Sequence, residues 1–148
     1  MLKMDARIGI VFLLGIGMIY GAAVVDETHV AVISAVDASF EALDHNHNGI
    51  MELNEFEESY YRLDTNHDHM ITESEYTAGS PDHQFSAAVF KQLDYDKKGY
   101  LERGDAYGQF SIMDTSGDNI VSRAEFDTYF VKLILAAAEN HLTTAPTL

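Results

Sequence analysis

The chain has no cysteine. That excludes disulfides, thiolate zinc sites and cysteine nucleophiles together, and leaves the redox compartment open. Without cross-links, bound metal is the natural source of added stability. Basic residues are scarce: 9 Lys and Arg stand against 24 Asp and Glu, a net charge of −15. Such a chain repels nucleic acid and anionic lipid and suits cations or basic partners. Catalytic signatures are missing too. There is no G-x-S-x-G, no phosphate-cradling glycine loop and no H-E-x-x-H, and no spacing ties the Ser and His residues into a constellation. A binding protein rather than an enzyme is expected. The sequence also lacks an N-x-[ST] glycosylation acceptor, and its C-terminal T-T-A-P-T-L is no ER-retention signal. Its 148 residues suit one domain or two small halves.

At the start, Lys3 and Arg7 precede an apolar run from Ile8 to Ile19, followed by Tyr20-Gly21-Ala22-Ala23. A basic start, a short apolar stretch and small residues at its end describe a secretory signal peptide, expected over residues 1–23 with cleavage after Ala23. The rival is an uncleaved membrane anchor over residues 8–25, a stretch with no charge. Its length is near the lower limit for spanning, and Gly15, Gly17 and Gly21 weaken it as a helix. The expected location is extracellular, with membrane contact only if this segment stays in place.

What the rest of the chain does have is one oxygen spacing, four times over. The stretch 44–55 reads D-H-N-H-N-G-I-M-E-L-N-E. Asp44, Asn46, Asn48 and Glu55 fall at positions 1, 3, 5 and 12, Gly49 takes the bend at position 6, and the Ile50 carbonyl and Glu52 complete the set. Ca²⁺ takes 6–8 oxygens in a flexible shell, which this spacing supplies. The second loop, 64–75, offers Asp64, Asn66, Asp68, the Met70 carbonyl and Glu75. The third, 94–105, offers Asp94, Asp96, the Tyr100 carbonyl, Glu102 and Asp105. The fourth, 114–125, offers Asp114, Ser116, Asp118, the Ile120 carbonyl and Glu125. Thirteen of the 24 acidic residues sit at these positions, so the acidity is not merely a solvated surface. Position 8 is apolar each time: Met51, Ile71, Leu101 and Val121.

These loops resemble those of the EF-hand calcium-binding family, within the calmodulin-like superfamily, and the resemblance covers roughly residues 29 to 140. It implies an all-α fold: an EF-hand helix–loop–helix array over residues 24–148, in two similar halves (29–79 and 80–141) with short β-bridges between paired loops. It implies calcium as the bound ion at three or four sites. The departures are informative. His69 replaces the position-6 glycine of the second loop, which puts strain on a left-handed backbone. Asn119 fills that place in the fourth loop at lower cost. In the third loop Lys98 puts a cation at position 5, and Asp105 is short for bidentate contact at position 12. That loop is either a fourth calcium site or a degenerate structural repeat.

Helical spacing predicts an entering helix over 28–43 with Val32, Val36, Phe40 and Leu43 inside, and a last helix from Phe126 to about Asn140 through Phe130, Leu133 and Ile134. Ser80-Pro81-Asp82 reads as a helix start with Ser80 as cap, followed by Phe85, Val89 and Leu93 on one apolar face. Single helices over 53–63 and 103–113 serve as exit from one loop and entry to the next. Eleven residues span about 16 Å, which holds the joined loops at opposite ends. The second loop is therefore expected to pair with the third, and the first with the fourth.

The leading functional expectation is a secreted calcium-binding protein serving as an extracellular buffer, a matrix component or a mineral-associated protein, its partner an extracellular protein or a mineral surface. The alternative is a calcium sensor that exposes an apolar groove to a target. Of six methionines only Met113 lies on a predicted helix outside the leader, which disfavours the sensor. His45, His47, His67 and His69 crowd the first two loops. They read as polar filler, with a zinc or copper site or a pH-sensitive pair of loops as the sharper alternatives.

Overall fold

A computed structural model describes residues 25–80 and 82–144, and side-chain burial within 32–139. The expected signal peptide or anchor lies outside the described residues, as does Pro81. The described chain is mostly helical, with two small sheets: α1 (Val25–Leu43), β1 (Ile50–Met51), α2 (Leu53–Leu63), β2 (Ile71–Thr72), α3 (Glu73–Thr77), α4 (His83–Leu93), β3 (Tyr100–Leu101), α5 (Arg103–Met113), β4 (Val121–Ser122) and α6 (Arg123–Thr144). No described helix is long and apolar enough to cross a membrane.

The strands pair across the two halves. β1 runs antiparallel to β4, with Met51 opposite Val121, and β2 antiparallel to β3, with Ile71 opposite Leu101. The four position-8 residues therefore meet in two pairs, first loop with fourth and second with third, each almost wholly buried. Helix length is the cause. α2 and α5 occupy 53–63 and 103–113 as expected, and each carries its two loops to opposite ends.

Helix packing follows. α6 lies against both α1 and α4, α2 against α5, and α3 against α4. The expected apolar positions form one core: Val32, Val36 and Phe40 from α1, Phe85, Val89 and Leu93 from α4, Phe126, Phe130 and Ile134 from α6. Phe40 and Phe126 meet edge to face at 5.2 Å between ring centroids. Two arginines that begin helices tie the halves together at the surface. Arg103 donates twice to the Glu57 carboxylate, at 2.9 and 3.0 Å, and Arg123 pairs with Asp37 at 3.0 Å and with Glu41. The Arg123 guanidinium also lies 4.9 Å from the Phe40 ring centroid. Such exposed pairs add register rather than much stability.

Helix ends depart from expectation in three places. α1 begins at Val25 rather than residue 28, and α6 runs to Thr144. The cap of α4 is Asp82, not Ser80: Asp82 Oδ1 accepts from Phe85 N at 2.9 Å. The Ser80 hydroxyl is engaged locally, donating to Asp82 O at 2.9 Å and accepting from Asp82 N at 3.2 Å. A serine in its own turn is not free to cap a helix.

Two predictions follow from this core. Phe126→Ala removes a fully buried ring and should cost about 3–5 kcal/mol in chemical denaturation, while Ile33→Ala, on an exposed side chain, should stay within about 0.5 kcal/mol. The phenols of Tyr60, Tyr76 and Tyr129 are raised above their ordinary value, in each case chiefly by burial, Tyr129 to about 12. A raised folded-state value favours the folded protein below the unfolded value near 10 and loses that stability as pH climbs through the folded values. Thermal unfolding should therefore show a melting temperature that falls above about pH 10, with part of the tyrosinate absorbance delayed until the fold opens.

Candidate functional site: four polar loops

Each loop joins one helix to the next, and the main chain shapes it before any side chain acts. The described residues hold eight positive φ angles, and they fall at positions 4 and 6 of the four loops: His47 and Gly49, His67 and His69, Lys97 and Gly99, Gly117 and Asn119. The expected left-handed backbone at His69 is present, at φ 68°. The need at position 4 was not anticipated. Its one sequence signal is Gly117, a glycine where the other loops carry His or Lys. His47, His67 and His69 thus have a main-chain task, and the side chains of these three and of His45 are all exposed.

These turns aim N–H groups inward, onto the position-1 carboxylate. Asp44 accepts from Asn48 N at 3.1 Å and Gly49 N at 2.8 Å, and Asp64 from Asp68 N at 3.2 Å and His69 N at 2.9 Å. Asp94 accepts from Lys98 N at 3.0 Å and Gly99 N at 2.9 Å, and Asp114 from Asp118 N at 3.2 Å and Asn119 N at 2.8 Å. The position-12 carboxylate caps the following helix by accepting from the position-9 amide: Glu55 from Glu52 at 3.1 Å, Glu75 from Thr72 at 3.0 Å, Asp105 from Glu102 at 2.8 Å and Glu125 from Ser122 at 2.9 Å.

In three loops the second oxygen of that carboxylate returns to the loop start. Glu55 Oε1 accepts from His45 N and Asn46 N, Glu75 Oε1 from Thr65 N and Asn66 N, and Glu125 Oε1 from Ser116 N at 2.9 Å. One glutamate thereby closes each ring from residue 12 to residues 2 and 3. These bonds favour the charged form. The Ser122 N–H and hydroxyl, with Ser116 and Thr115, take Glu125 down to about 2. At Glu75 burial pushes upward, but Thr72, Thr65 and Asn66 outweigh it and the value is lowered. At position 5, Asn48, Asp68 and Asp118 each accept from the position-7 amide, at 3.0, 2.9 and 3.1 Å. Glu52 reaches across the first loop to accept from Asn46 Nδ2 at 3.4 Å.

The structure thus gathers Asp44, Asn46, Asn48, Glu52 and Glu55 around one ring, and likewise Asp64, Asn66, Asp68 and Glu75, and Asp114, Ser116, Asp118 and Glu125. Ile50, Met70, Tyr100 and Ile120 hold position 7 in their loops. It does not draw the charged groups onto a common point. Among the described residues no three His, Asp or Glu side chains converge as a metal cluster. Like-charged carboxylates separate and take N–H partners instead. The donors of the first, second and fourth loops are all hard oxygens, carboxylate, amide, hydroxyl and main-chain carbonyl, a set that fits Ca²⁺ or Mg²⁺ better than a soft metal.

The third loop is arranged differently. Lys98 Nζ lies 2.6 Å from Glu102 Oε1 and 3.2 Å from both Asp96 Oδ2 and Asp105 Oδ2. These hydrogen bonds, that to Glu102 foremost, hold the ammonium well above an ordinary lysine.

No family model matches the chain, and no curated protein matches it. Among solved structures it is similar to the crystal structure of the C-terminal domain of another protein, 21% identical, over 88% of this chain and 91% of that one. The TM-score is 0.22, a likeness on which no argument about fold or function rests.

The turns give a clean test of backbone strain. A Cβ at Gly49 would meet nothing within 4 Å, so Gly49→Ala carries only the cost of φ 80°, about 1 kcal/mol in denaturant unfolding. The mirror change His69→Gly should move stability the other way, by up to about 1 kcal/mol.

Proposed function

We propose that the protein binds calcium through loops 44–55, 64–75 and 114–125, as a secreted four-loop protein of EF-hand type that acts by binding and not by catalysis. The observation that carries the reading is the threefold recurrence of one ring. In each, a position-1 Asp and a position-12 Glu are anchored at opposite ends of a twelve-residue loop by inward N–H groups, with oxygen-bearing side chains at positions 3 and 5 between them. Loops so built carry oxygen groups around one ring, and a divalent cation would neutralise carboxylates whose mutual repulsion opposes compaction. The basic, apolar and small-residue order of residues 1–23 supports export. For an extracellular protein, dissociation constants near 10⁻⁴–10⁻³ M suffice. Buffering, a matrix role and attachment to mineral all suit such affinities.

A sensor role has one observation in its favour. A cleft of about 580 Å³ lies between α5 and α6, lined in part by Ile112, Met113, Tyr129 and Leu133, and Ile112 is 60% exposed. A large calcium-dependent rise in hydrophobic-dye fluorescence would favour the sensor over the buffer.

Calorimetric titration of the metal-stripped protein with calcium, and in parallel with magnesium, tests the proposal. Three calcium events with a weak magnesium response are expected, and Glu125→Gln should remove one of them. No heat and no change in melting temperature would overturn it.

A further inference from the structure

In the first, second and fourth loops position 5 is an oxygen donor and position 12 is Glu. The third loop lacks both. Asp105 is one methylene shorter, and its carboxylate makes no bond to the amides of Tyr95 or Asp96 corresponding to those that close the other rings. Lys98 spans the gap. Its main-chain N–H is held by Asp94 at 3.0 Å, while its side chain crosses to Asp96, Glu102 and Asp105 and passes 5.1 Å from the Tyr100 ring centroid. One residue thus touches all four acids of the loop. Asp105 is 2% exposed and lacks the loop-closing amides that serve Glu55 and Glu75, so its buried carboxylate is costly without the ammonium beside it. Tyr100 and Leu101, immediately after the lysine and its glycine, form the strand that pairs with the second loop.

We propose that Lys98 is the resident cation of the third loop: its ammonium holds the Asp96, Glu102 and Asp105 carboxylates together, excludes a metal ion, and keeps β3 in place against β2 whether or not calcium is present. The second loop then binds against a partner strand already set, whereas the first and fourth loops depend on each other's ions. Only this consequence for the second loop rests on the calcium reading. The role of Lys98 in the metal-free protein does not.

The test compares wild type, Lys98→Met, Lys98→Asp and, as a charge-matched control at the next residue, Lys97→Met. In chelator, Lys98→Met should lower the melting temperature by about 3 °C or more, with Lys97→Met within about 1 °C of wild type. The nuclear Overhauser contacts between Ile71 and Leu101 should persist in stripped wild type and weaken in Lys98→Met. Loss of the folded state in Lys98→Met alone counts with the proposal. Equal melting temperatures for the two methionine variants overturn it. In calcium titrations Lys98→Asp, which restores an oxygen donor at position 5, should add one event to the wild-type count. A wild-type event that Asp94→Asn abolishes would mean that the third loop holds a metal beside its lysine, and would overturn the proposal. If no variant binds calcium, the reading of the other three loops fails, and the melting comparison in chelator alone decides the role of Lys98.

Discussion

The arrangement of the molecule depends on the length of two helices. α2 and α5 have eleven residues each, about 16 Å of rod. A rod of that length cannot bring the strand before it beside the strand after it. β1 and β2 therefore find partners in the other half of the chain, and the two antiparallel bridges stitch 44–72 to 100–122. The consequences spread outward. The bridges set Met51 on Val121 and Ile71 on Leu101, and α6 is left to cover both α1 and α4 with the aromatic face that begins at Phe126. Arg103 and Arg123, both at position 10 of their loops, each meet carboxylates of the other half, so the surface charges agree with the register set by the strands.

The loops at the ends of these rods solve a local problem of polar groups. Two left-handed residues per loop turn the N–H groups inward, and inward N–H groups require acceptors. Carboxylates at positions 1 and 12 supply them, which is why Asp44, Asp64 and Glu55 are tolerated at 5% exposure or less. The same anionic acceptors repel one another. In three loops that tension is what makes a divalent cation a natural ligand under the proposed function, and in the third a lysine enters the ring. Lysine at position 5, together with the shorter Asp105 at position 12, thus gives the third loop a different balance of the same charge.

Much of this was legible in the chain because the loop spacing is rigid. A fixed twelve-residue pattern set both ends of α2 and α5 to the residue, and their length then dictated which loops pair. The apolar faces of α1, α4 and α6 followed from helical periodicity. Where local groups compete, the reading was less secure. Ser80 and Asp82 are both good caps, and only the structure shows Ser80 committed to its own turn while Asp82 takes the Phe85 amide. The described residues of α1 and α6 are helical beyond their apolar patterns, from Val25 and to Thr144. The histidines at 47, 67 and 69 looked like filler because φ is not written in residue type except where glycine stands, and Gly117 was the lone marker.

By itself, the sequence determined the order of helices and loops, the faces that are buried and the oxygen sets at each loop, since these depend on neighbours within a dozen residues. Only the tertiary structure decided which carboxylates answer which amides, how Arg103 and Arg123 join the halves, and that Lys98 bends back into its own ring rather than out to solvent. Those outcomes depend on the direction a long side chain takes once the backbone is placed, and direction is fixed by packing and charge across space rather than by position along the chain.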